Sequence, residues 1–177
     1  MYNPKFIKIL MLLAIATGFA QGASAGDKEA LIKQARTAAP AMVSADATII
    51  YRGEVLAEGT NGWVCMPETM PDDNSPNCSD AVWMQMFEAM GAGADYAATG
   101  LGVSYMLAGD AGVSNSNPAH PDHKNAPDFI KEGPHMMLIV PRAMLEGVTD
   151  DPHAGGPYVM WKDTPYAHIM VPLADRD

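Results

Sequence analysis

Two stretches of this chain repeat one pattern of coordinating side chains. Pro134-His135-Met136-Met137-Leu138-Ile139-Val140-Pro141 and Ala167-His168-Ile169-Met170-Val171-Pro172 each carry His-x-Met and then Val-Pro inside an apolar run. Residues two apart in a strand face the same way, so His135 and Met137 share a face, as do His168 and Met170. If the two strands are neighbours in compatible register, opposed side chains stand about 5 Å apart at Cβ. Two imidazoles and two thioethers then converge. That is a soft ligand set suited to copper, above all Cu(I), or to another transition metal. Plain packing competes with this reading. The chain has 14 methionines, so some fall near a histidine by chance, and Met is an ordinary filler of core gaps.

Other clusters are less specific. His120 and His123, in Asn117-Pro118-Ala119-His120-Pro121-Asp122-His123, have His-x-x-His spacing and with Asp122 offer nitrogen and oxygen to Zn²⁺ or Cu²⁺. Two prolines make that segment a loop, and the helical His-Glu-x-x-His arrangement is missing. Asp72, Asp73, Asn74 and Asp80 are rich in oxygen but lack the EF-hand spacing and its central glycine. Asp151 and His153, ahead of Gly155-Gly156, form an acid–base pair on which a small hydrolase could rest. No activated nucleophile accompanies them. Gly102-Val103-Ser104 begins like a nucleophile elbow, but Met106 stands where the second glycine belongs. No catalytic residue is therefore assigned, and binding is preferred to catalysis. The alternatives are an envelope enzyme using His153 and Asp151, and a structural or interaction protein of the envelope with no small-molecule site.

The elements that must position these groups begin after a leader. Lys5 and Lys8 precede an almost wholly apolar run from Ile9 to Ala20, and Ala23-Ser24-Ala25 gives the small-residue pattern of signal cleavage. Residues 1–25 are thus expected to be a signal peptide and 26–177 a single exported domain, periplasmic or extracellular, with no stable membrane span after cleavage. The formal net charge of −10 becomes more negative still without Lys5 and Lys8. Such a field repels nucleic acid and anionic lipid, and it attracts cations. In an oxidising compartment Cys65 and Cys78 are expected to form one disulfide around a proline-punctuated loop.

Within the domain, residues 27–38 and 81–90 have helical features, the second through Val82, Met86 and Met90 with Trp83 and Phe87. Strands are expected at 47–51, 54–58, 63–66, 101–107, 135–140, 158–161 and 166–171. Strands in runs, not in alternation with helices, predict an α+β fold. Its mainly antiparallel sheet would have six or seven short strands, with two main helices. The polar stretch 108–133 is long for a loop inside a domain.

The phrases Gly59-Thr60-Asn61-Gly62-Trp63-Val64-Cys65-Met66-Pro67, Gly133-Pro134-His135-Met136-Met137 and Gly155-Gly156-Pro157-Tyr158-Val159-Met160-Trp161, with Thr164-Pro165-Tyr166-Ala167-His168-Ile169-Met170-Val171-Pro172, resemble an uncharacterised family of small exported bacterial proteins of unknown function. The resemblance implies export and one domain. It assigns no activity, ligand or catalytic residue.

Overall fold

The computed structural model describes residues 25–175, so the leader read over residues 1–25 lies outside the described residues apart from Ala25. Helix α1 (Ala25–Arg36) carries Asp27 in its first turn and Lys33 and Arg36 in its last, as the helix dipole favours. A single turn, α2 (Ala41–Ser44), follows Pro40. Strands β1 (Thr48–Tyr51) and β2 (Glu54–Ala57) make the expected hairpin about Arg52-Gly53, both at positive φ as a tight two-residue turn requires. Strands β3 (Val64–Met66) and β4 (Asn77–Ser79) pair antiparallel, with Cys65 opposite Cys78 and a disulfide joining them.

Helix α3 (Ala81–Gly91) is capped by Asp80. The Asp80 carboxylate accepts the Trp83 N–H at 2.9 Å and the Val103 N–H at 2.7 Å, tying the helix start to the next strand. The remaining strands are β5 (Gly102–Met106), β6 (Val113–Ser114), β7 (Phe129–Ile130), β8 (His135–Ile139), β9 (Tyr158–Met160) and β10 (His168–Pro172). Eight strands form one sheet in the order β2-β1-β3-β4-β5-β8-β10-β9, and β6 with β7 forms a separate ribbon. Only β1 and β3 run parallel among neighbours in the large sheet.

The chain thus has the expected α+β make-up and mainly antiparallel sheet, with more strands than the six or seven anticipated. Strand β4 escapes sequence reading because it is polar in type yet wholly buried. Its Ser79 hydroxyl lies 2.9 Å from that of Ser104, and the Asn77 amide donates to Thr69 Oγ1 at 2.8 Å. The two-residue strands β6 and β7 are too short to show a period.

Register fixes the faces. Ser79, Ser104 and Met137 stand opposite one another across β4, β5 and β8, and Met170 of β10 continues the row. Helix α3 covers this face, with Trp83 and Met86 packed among Met106, Met137, Ile139, Tyr158, Met160 and Met170. Cys78 points the other way and joins Ile49, Leu56 and Cys65 beneath Ala35 and Ala38. Gly102 lets α3 come close: a Cβ there would stand 2.8 Å from Val82 Cγ1. No helix among the described residues is long and apolar enough to cross a membrane.

Candidate metal centre

Strands β8 and β10 are neighbours, and the four residues of the His-x-Met repeat share the face beneath α3. Met170 stands opposite Met137, and Pro172 opposite His135. Extending that register by one residue sets His168 beside Ile139. His135, Met137, His168 and Met170 are all buried and all line one cavity. The expectation that the repeat meets is realised for the thioethers, which oppose each other directly. The imidazoles do not face one another. They stand at opposite ends of the Met pair, because two copies of one motif aligned antiparallel on their Met must place the preceding residues on opposite sides.

Each imidazole is anchored alike. The Nδ1 of His135 lies 2.7 Å from the Gly133 carbonyl, and the Nδ1 of His168 lies 2.9 Å from the Tyr166 carbonyl. A carbonyl only accepts, so Nδ1 carries the hydrogen, and in the neutral ring the lone pair sits on Nε2. Both Nε2 atoms are buried without a hydrogen-bond partner. A ring fixed through one nitrogen with the other bare is the arrangement that metal-binding histidines adopt. Burial, with added repulsion from His135, pulls the His168 pKa down to about 4 against the pull of the Tyr166 carbonyl. His168 is therefore neutral near pH 7 and free of a competing proton. Trp83 and Trp161 meet its ring edge-on, with centroids at 5.2 and 5.0 Å.

Register also delivers two sulfurs that sequence reading missed. Met106 on β5 stands opposite His135, and Met160 on β9 stands opposite His168. Both line the cavity. Neither lies near a histidine in sequence, so only strand order could have found them. At the His135 end Asp110 also lines the cavity, its carboxylate accepting the N–H groups of Gly112 and Glu132 at 3.0 and 2.8 Å. Burial pushes the Asp110 pKa up, and the charge of His135 opposes that shift. The cavity has about 60 Å³ of room, whereas one water needs about 10–15 Å³ and organic ligands occupy about 300–1,000 Å³. It suits small ions or a few waters. A wider groove of about 380 Å³ adjoins it, lined by Met66, Met84 and Met90, with Met70, Phe87 and Trp161 in the walls of both.

The remaining candidates are occupied otherwise. The Nδ1 atoms of His120 and His123 accept the backbone N–H of Asp122 and Ser114 at 3.2 and 3.1 Å, which leaves hydrogen, not a lone pair, on each neutral Nε2. Their tautomer is the reverse of the buried pair's. Asp73 is taken up by the N–H groups of Thr69, Met70 and Ser75, Asp72 pairs with Arg52, and Asp80 caps α3. Asp151 accepts the backbone N–H of His153 at 2.8 Å, not its ring, and both residues are exposed. Ser104 is buried against Ser79 and presents no nucleophile. Among the described residues no group of three or more His, Cys, Asp or Glu converges to hold a metal. No family model, characterised protein or solved structure matches the chain.

Proposed function

We propose that this chain is an exported binding protein that holds a soft transition metal, Cu(I), on the face of its sheet beneath α3. His135, Met137, His168 and Met170 are the ligands read from sequence, and Met106 and Met160 enlarge the sulfur supply. The observation that carries this reading is the pair of buried imidazoles with bare Nε2 atoms in a cavity that five thioethers line. Water could satisfy the nitrogens, but it gains little from thioether sulfur. A soft monovalent cation gains from both. Ca²⁺ favours oxygen sets and Zn²⁺ thiolate, imidazole or carboxylate, and neither gains much from the thioethers that supply the sulfur here. Export is supported by the leader pattern and by the disulfide, since reducing compartments keep thiols free.

Untagged protein incubated anaerobically with Cu(I), desalted and analysed for metal tests the reading. Wild type should retain copper and reject zinc and calcium, and a His135→Ala, His168→Ala variant should retain none. Equal copper in wild type and variant, or none in either, would refute it. Ester hydrolysis abolished by His153→Ala would favour the enzyme reading instead.

A further inference from the structure

The cavity has an approximate two-fold axis, normal to the sheet, through the opposed Met137 and Met170. Two residues before each of these methionines stands a histidine whose Nδ1 bonds the carbonyl two residues earlier. Opposite each histidine, on the outer neighbouring strand, stands a further methionine: Met106 on β5 and Met160 on β9. The repeat visible in the sequence is thus half of a larger one. Each half presents one imidazole and two thioethers, His135 with Met106 and Met137, and His168 with Met160 and Met170.

The two imidazoles stand at opposite ends of the Met pair, each with its own opposed methionine. Four residues separate them along the ladder, about 13 Å at roughly 3.3 Å per residue. Within each half the ligands are close, because directly opposed residues and residues two apart on one face are nearest neighbours.

We propose that the cavity takes two cuprous ions, one on His135, Met106 and Met137 and one on His168, Met160 and Met170. This rests on the copper reading above and goes beyond it in stoichiometry and in ligand assignment. Two monovalent cations repel each other less than two divalent ones would, and the buried Asp110 carboxylate at the His135 end offsets part of their charge. The halves are unequal for that reason. The His135 half, beside Asp110, fills first, and the His168 half, between Trp83 and Trp161, reports its own occupancy through indole fluorescence.

Titration with tetrakis(acetonitrile)copper(I) under anaerobic conditions, followed by native mass spectrometry and tryptophan emission, tests this, with Ag(I) as a redox-inert check. Wild type should bind two ions per chain, with most of the quenching in the second step. His135→Ala and His168→Ala should each bind one, and only His135→Ala should keep the quenching. Met106→Leu and Met160→Leu conserve volume and should each weaken one step at least tenfold while leaving the other unchanged. One ion in wild type, lost by either histidine variant, would overturn the two-ion inference and leave the copper reading standing. No ion in wild type would overturn both.

Discussion

Acidifying the metal-free protein should destabilise it through His168 before most carboxylates titrate. The ring is 1% exposed and sits between two indoles, and its pKa in the folded chain is about 4, against an ordinary value of 6.5. The folded state holds it neutral while the unfolded chain protonates it, so the unfolded state binds more protons between those two values. The stability His168 contributes is complete above pH 6.5 and is lost as the pH falls toward 4. At about 1.4 kcal/mol per pH unit the whole window amounts to roughly 3 kcal/mol, of which about 2 kcal/mol is gone by pH 5. Urea unfolding followed at pH 7.5, 6 and 5 measures the effect. The reference is His168→Asn, whose amide keeps a donor for the Tyr166 carbonyl. Wild type should lose about 2 kcal/mol more than the variant over that range. Equal losses, or an imidazole that titrates near its ordinary value by NMR, would refute the argument.

Other consequences are independent of that titration. Replacing Met137 and Met170 together by Leu should change stability by less than about 1.5 kcal/mol, since volume and polarity are kept, yet copper retention should collapse; equal retention would make these residues mere filling. Met84→Leu with Met90→Leu, in the adjoining groove, should slow Cu(I) uptake in stopped-flow fluorescence without lowering final occupancy. Cys65→Ser with Cys78→Ser should cost about 3 kcal/mol in urea unfolding, the entropy of opening that loop. Asp80→Ala leaves two backbone N–H groups without their acceptor and should cost about 1–2 kcal/mol in the same assay.

Legibility in the sequence tracks the physical range of each interaction. Helix α3, the β1–β2 hairpin and the strands around His135 and His168 rest on period and turn chemistry that a few neighbouring residues express. The disulfide is legible from two cysteines and a leader-like N-terminal pattern. The pairing of β8 with β10 is only a condition in the sequence, because nothing local sets strand order. Met106 and Met160 have no signal of their own, since their meaning lies in which residue faces them across a ladder. Asn77-Cys78-Ser79 looks like loop because its polarity is satisfied by Thr69 and Ser104, outside the segment itself. The His120 and His123 spacing promises more than it delivers, because two backbone N–H groups claim the nitrogens a metal would need.

X-ray absorption at the copper edge of the anaerobically loaded protein reads the ligand atoms themselves. The spectrum should show low-coordinate Cu(I) with both sulfur and nitrogen neighbours, the sulfur signal falling when Met106, Met137, Met160 and Met170 are replaced by Leu. A shell of nitrogen and oxygen alone, or a sulfur signal untouched by those replacements, would contradict it.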